Sequence, residues 1–199
     1  MLKNTIHMYV YAFQVVDIDP DVQRLQLARE KYSVHNVVFQ EGVAEHIPGS
    51  NFDVVFSNAV LHWCEDKDRV FKEVAKSLKK GGKFGYVTPT NFSVEREFCT
   101  PADMFSAECR EYMIEIIHVP TSDELHSLAS DNGFVTLYSK ETIREYRFNN
   151  VYKLIEFYMT HMHKYSDEHY ITEAMKRHYG EEEIVFMMPC TTAVLSFNG

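Results

Sequence analysis

Phe52-Asp53-Val54-Val55-Phe56-Ser57-Asn58-Ala59-Val60-Leu61-His62-Trp63 is the stretch that decides how this chain folds. Residues 52–56 are apolar and β-branched apart from Asp53, the pattern of a buried strand. Ser57 and Asn58 make a polar turn at its carboxyl end. An amphipathic helix is predicted from Asp66 to Gly82, with Val70, Phe71, Val74, Ala75 and Leu78 on its inner face. Lys80-Gly81-Gly82 supplies a left-handed stop, and residues 84–87 form the next strand. Strand, helix and strand in succession imply a right-handed crossover and a parallel pair.

The same alternation runs upstream. Residues 14–18 read as a short strand closed by Asp19-Pro20. Asp21 opens a helix with Val22, Leu25, Ala28 and Tyr32 at helical spacing. Residues 36–40 form another strand, ended by Glu41-Gly42. Downstream the character changes. Residues 92–119 are irregular, aromatic and Met-containing, which suits a lid or an inserted helical segment. Thr121 and Glu124 form a capping box, and Asn132-Gly133 closes that helix. A long strand over 134–148 follows, then helices over 151–162 and 166–179, the first with Leu154, Ile155, Tyr158 and Met159 inward. A final strand spans 183–197, where Pro189 marks a bulge or an edge. The last two strands are expected as an antiparallel hairpin at one sheet edge. One α/β domain over 1–199 is expected, with a cofactor-side core at 14–89, a lid or substrate-side segment at 90–120, and the rest of the sheet at 121–199.

Composition narrows the class. With 199 residues and a formal charge of −9, the chain lacks the clustered Lys and Arg that phosphate neutralisation needs. Lys79, Lys80 and Lys83 are its nearest approach to a basic patch and read as a solvated helix end. No nucleic-acid partner is expected. No apolar run approaches the ~20 residues that cross a bilayer, and residues 6–16 lack the charged start of a signal peptide. Cys64, Cys99, Cys109 and Cys190 are scattered without CxxC spacing, the pattern of free thiols. A cytoplasmic location without membrane contact is the expectation. His161, His163 and His169, near Asp167 and Glu168, are read as solvated helix-end residues, because histidines two apart do not share a helix face.

In parallel sheets the chemistry lies at the carboxyl ends of the strands. There an acidic residue after the second strand of a nucleotide-binding unit accepts hydrogen bonds from ribose hydroxyls. Asp19 holds that position, and Asp17 is the weaker candidate. Asp19 can equally be a turn residue at a helix N-terminus.

The strand Val15-Val16-Asp17-Ile18-Asp19-Pro20 and the block 51–89 together resemble class I S-adenosylmethionine-dependent methyltransferases. The resemblance is closest to the small-molecule branch that includes trans-aconitate, juvenile hormone acid and malonyl-carrier-protein methyltransferases, which commonly carry Leu-His-Trp or Leu-Gln-Trp at this turn. It implies a Rossmann-like, mostly parallel sheet with helices on both faces. The implied cofactor is S-adenosylmethionine and the implied acceptor a small molecule, such as a carboxylate. Asp19 would meet the ribose. Val43 stands where the family carries an Asp for the adenine amino group, so it would pack on the ring while the Ala44 backbone N–H bonds it. Ser57 and Asn58 would hold the methionine end, Trp63, the only Trp, would wall the pocket, and His62 would serve as general base. A carboxylate acceptor needs no base.

The family opens with a glycine-rich loop after a central first strand. In this sequence the first glycine is Gly42. Residues 6–13 could fill the strand's place only without the crossover that a parallel neighbour requires. The expectation is a sheet incomplete on its N-terminal side, from a truncated isoform or a member that has lost the loop. The alternative function is a non-catalytic interaction module that self-associates through the incomplete sheet. A nicotinamide-dependent oxidoreductase shares the strand-end acid but fits the Leu61-His62-Trp63 turn less well.

Overall fold

The computed structural model describes residues 13–32, 35–93, 107–162, 168–180 and 183–199. The predicted segment 6–12, residues 94–106 of the irregular stretch, and His163 and Asp167 of the histidine cluster lie outside them. Its first unit is β1 (Val15–Asp19), α1 (Val22–Lys31) and β2 (Val37–Glu41). Asp21 caps α1, its carboxylate accepting from the backbone N–H of Gln23 and Arg24 at 2.9 and 3.2 Å; such caps satisfy donors that the first helical turn leaves open. Leu25 and Ala28 are buried as the spacing requires, whereas Val22 is exposed. Val22 is the first residue of the helix, next to the cap. β1 and β2 are parallel, in register from Val15–Val37 to Asp19–Glu41.

The second unit is β3 (Phe52–Asn58), a 3-10 turn (Leu61–Trp63), α2 (Lys67–Ser77) and β4 (Leu78–Pro89). Here the predicted helix end is corrected. α2 stops at Ser77, whose hydroxyl donates to the carbonyl of Val74 at 2.9 Å, and Leu78 is already extended. The Gly-Gly pair lies inside the opening of β4, where Leu78 partners Phe52 and Lys79 reaches Asp53 at 2.7 Å. Gly81 still takes the left-handed conformation, φ +79°, so the glycine bends a strand entry instead of capping a helix.

β3 and β4 are parallel, with Val55–Phe84 and Ser57–Tyr86 as neighbours. After α3 (Ala107–Ile116) and α4 (Ser122–Asp131) come β5 (Phe134–Phe148), α5 (Val151–Met162), α6 (Glu168–Tyr179) and β6 (Ile184–Phe197). The expected capping box is present: Thr121 Oγ1 accepts from the Glu124 N–H at 3.1 Å, and the Glu124 carboxylate accepts from the Thr121 N–H. β6 runs antiparallel to both β4 and β5, so the late hairpin forms the sheet edge as expected. Pro189 partners Ile143 in register and sits just past the last β4–β6 pair, Pro89–Cys190. There β6 leaves β4, so the edge reading of Pro189 holds. The bulge lies instead in β5, between Thr136 and Tyr138.

Among the described residues the sheet is in two pieces, β1–β2 and β3–β4–β6–β5. One face of the larger piece carries the core. Phe71 of α2 packs edge-on against Phe84 at 5.4 Å and Phe134 at 6.1 Å, with Leu125, Leu195 and Tyr86 fully buried around them. Each such side chain contributes about 1.5–3 kcal/mol by leaving water. A second cluster joins α3, α5 and α6 through Met113, Leu154 and Met175, and Trp63 packs against it.

The other face of the larger sheet reads in three rows across β3, β4, β6 and β5, by register and alternation. They are Val54–Lys83–Ser196–Val135, Phe56–Gly85–Val194–Tyr138 and Asn58–Val87–Thr192–Lys140. α2 and α4 lie on the opposite face, in the core cluster.

Candidate functional site

Three chain segments define the candidate site: the end of β1 with Asp19, the turn after β2 with Val43 and Ala44, and the end of β3 with the turn that follows it, from Ser57 to Trp63. Asp19 closes its strand as a turn residue, its Oδ1 accepting from the Asp21 N–H at 2.8 Å. Its carbonyl accepts from the Gly42 N–H at 3.4 Å, which ties the ends of β1 and β2 together. One carboxylate oxygen is thereby committed to the turn. Val43 pairs with His46 in an isolated bridge and is 42% exposed, while Ala44 packs beneath against the core cluster.

The end of β3 is where buried polarity collects. Ser57 Oγ and Asn58 Oδ1 are buried and have no hydrogen-bond partner. Leaving a buried polar group unpaired costs about 1–3 kcal/mol. Ala59 follows with φ +54°, a left-handed conformation that a non-glycine residue adopts at a cost, held by its N–H donating to Val87 at 2.7 Å. Strain and unpaired polar atoms thus fall on three consecutive residues at one strand end. Clusters of this kind mark places where a fold gives up stability for function.

His62 and Trp63 pack into the protein. His62 is 8% exposed, its Nδ1 3.4 Å from Thr88 Oγ1 and its ring 5.0 Å from the Trp63 ring. The His62 carbonyl accepts from the His118 N–H at 2.8 Å. Together they fasten the turn to α3 and the helices packed with it. Cys64, the next residue, is buried, and its thiol is pushed up to about 12 by burial and by nearby Glu45.

Sequence reasoning missed a set of buried hydroxyls at the carboxyl end of β4. Thr90 and Thr191 are joined at 2.8 Å, Thr191 and Ser122 at 2.8 Å, and Asn91 donates to Ser122 at 3.0 Å. They lock the start of α4 onto β4 and β6. The available signal was polar residues at inward strand positions, Thr88 and Thr90. Of the expected site residues, Ser57 and Asn58 are the last two residues of β3 rather than a turn, and His62 and Trp63 lie on the 3-10 turn that follows. Asp19, Val43 and Ala44 lie on the β1–β2 piece, across the break in the sheet. No group of three or more potential metal ligands occurs among the described residues. No helix among them is long and apolar enough to cross a membrane.

The implied donor, S-adenosylmethionine, has polar ends that need acceptors at two places. Ser57 Oγ and Asn58 Oδ1 are unpaired acceptors at a strand end, and Asp19 keeps its Oδ2. The residues at the end of β3 therefore fit such a group, while Val43 offers the adenine side an apolar contact only.

The architecture defines a Rossmann-like α/β fold. Residues 3–85 match a family model described as Methyltransferase domain. Over 78 residues the chain is 30% identical to trans-aconitate 2-methyltransferase of Afipia carboxidovorans, covering 39% of this chain and 30% of that protein. Over 125 residues it is 26% identical to malonyl-[acyl-carrier protein] O-methyltransferase 1 of Ilyobacter polytropus, covering 60% and 46%. The chain thus spans less than half the length of these curated relatives. The solved structure of YcgJ from Bacillus subtilis superposes with a TM-score of 0.65 at 17% identity, over 98% of this chain and 87% of that one. Residues 3–85 are thus similar to a methyltransferase domain, and the chain shares the fold of YcgJ.

Proposed function

We propose that this chain binds S-adenosylmethionine at the ends of β1 and β3 and passes its methyl group to a small carboxylate acceptor. The observation that carries the reading is the pair of buried, unpartnered atoms Ser57 Oγ and Asn58 Oδ1 beside the strained Ala59. A ligand that pairs with them recovers part of what the unliganded fold forgoes. When bound, the donor supplies an electrophilic methyl group on a sulfonium.

The protein's work is positioning. Asp19 Oδ2 accepts from ribose hydroxyls while Oδ1 holds the turn. Val43 covers an adenine face, and the Ala44 N–H bonds its edge. Ser57 and Asn58 receive the amino-acid end. Trp63, anchored against the α3–α5–α6 cluster, keeps water from the methyl side. In-line displacement gains most from such alignment and exclusion of water. A carboxylate is already anionic at neutral pH, so no proton need be taken from it; His62 is the candidate base for an acceptor that requires one. The two relatives above are named for trans-aconitate and malonyl acyl carrier, both carboxylic acids, which favours this acceptor class.

Calorimetric titration with S-adenosylhomocysteine tests the reading. Binding in the micromolar to sub-millimolar range is expected, with a rise in melting temperature. No heat and no thermal shift at millimolar ligand would remove the chain from the active enzymes. The result would then favour a methyltransferase-like interaction module.

A further inference from the structure

We infer that the face of the β3–β4–β6–β5 sheet that no described helix covers is where a second copy of this chain docks, sheet against sheet. Sheets with parallel strands in α/β folds are ordinarily covered on both faces. Here α2 and α4 occupy one face, and on the other Val54, Phe56, Val135 and Tyr138 remain between 41% and 49% exposed.

The argument for a second copy is the register. Place a two-fold axis along the strands, midway between β4 and β6. It carries β4 over β6 of the second copy and β3 over its β5. Phe56 then faces the second copy's Tyr138, an aromatic pair, and Gly85 faces its Val194, small against branched. Lys83 comes over the neutral Ser196, and Lys140 over the neutral Asn58. No row holds a carboxylate, although the chain carries a formal charge of −9. This face is therefore a place where two acidic molecules meet without opposing carboxylates. Each contact occurs twice about the axis, as a closed isologous dimer requires. Sheets stacked this way lie ~10 Å apart with strands ~30° off parallel, which the side chains of three rows can fill.

Size sets the strength. Three rows of four residues per copy fall short of the roughly 20–30 residues a side of a standard interface. The dimer is accordingly a micromolar one. Raising salt from low to physiological strengthens it, because screening weakens the mutual repulsion of the two acidic copies.

Sedimentation velocity over about 5–300 µM tests the association. The weight-average mass should climb from one chain toward two, and Tyr138→Asp or Val135→Asp should hold it at one chain with an unchanged circular dichroism spectrum. A wild-type chain that stays monomeric throughout overturns the inference, as does a dimer that ignores both variants. Cross-linking tests the geometry independently of those variants. A mixture of Phe56→Cys and Tyr138→Cys chains should form disulfide dimers at least several-fold faster than either variant alone. Equal rates would overturn the two-fold described.

Discussion

His62 Nδ1 lies 3.4 Å from Thr88 Oγ1, a contact between the turn that follows β3 and the buried end of β4. Both side chains are shut off from bulk solvent, His62 at 8% and Thr88 at 0% exposure. The segment that carries Ser57 and Asn58 is therefore braced from behind by a polar contact as well as by Trp63.

This bracing separates two roles for His62. If the acceptor is a carboxylate, His62 holds the turn and takes no proton. His62→Asn should then lower turnover less than about tenfold and leave the pH–rate profile between pH 6 and 8 unchanged in shape. Thr88→Val should cost about 1 kcal/mol of stability, the worth of an ordinary hydrogen bond, in urea denaturation. A loss of several hundredfold in His62→Asn, with a rate limb near neutral pH abolished, would mark it as a base.

Ser57→Ala should separate stability from binding. The wild-type hydroxyl is buried and unpaired, so its removal should stabilise the unliganded protein by about 1 kcal/mol. The same change takes a polar contact from the donor, so affinity for S-adenosylhomocysteine should fall roughly three- to tenfold. Thermal denaturation with and without ligand reads both effects. A variant that is less stable without ligand would show that Ser57 has an internal partner and no role in the ligand site.

Much of this was legible in the sequence, because the deciding patterns are local. The capping box at Thr121 and Glu124, the long strand over 134–148 and the inward positions Leu25 and Ala28 follow from caps and periodicity alone. The end of α2 was not legible. The Val70-to-Leu78 apolar face continues in helical phase beyond Ser77, and only the pairing of Leu78 with Phe52 turns the chain into a strand. At the site, sequence located the strand ends but not the directions of the side chains. That His62 turns inward to Thr88, and that Thr90, Ser122 and Thr191 share one hydroxyl network, depends on elements up to 101 residues apart.

Gly82 is fixed by close packing rather than by its φ. A Cβ there would lie 2.8 Å from the Lys79 carbonyl oxygen and 3.1 Å from Leu78 Cδ2. Backbone cannot yield as a flexible side chain does, so Gly82→Ala should cost about 2–3 kcal/mol. At Gly81 a Cβ would meet nothing, and Gly81→Ala should cost only about 1 kcal/mol for the left-handed φ. Denaturant midpoints of the two variants check the order, and the reverse ranking would refute the packing argument.

Alkaline pH should unfold the protein through two buried groups. Burial, with Glu45 nearby, pushes the Cys64 thiol up to about 12, and burial pushes the unpartnered Tyr86 phenol to about 12. In each case the folded state prefers the neutral form. Below the unfolded-state values, near 9 and 10, folded and unfolded chains bind the same protons at these groups, and their contribution is fully present. Between those values and about 12 the unfolded chain has lost protons that the folded chain keeps, so stability falls as pH rises. The melting temperature should therefore hold level up to about pH 9 on this account and drop progressively toward pH 12. Cys64→Ala removes one of these groups, so its decline should be shallower than that of the wild type, while the Cys190 thiol, also pushed up by burial, keeps the onset near pH 9. Identical curves for the two proteins would show that the thiol is not kept neutral by the fold.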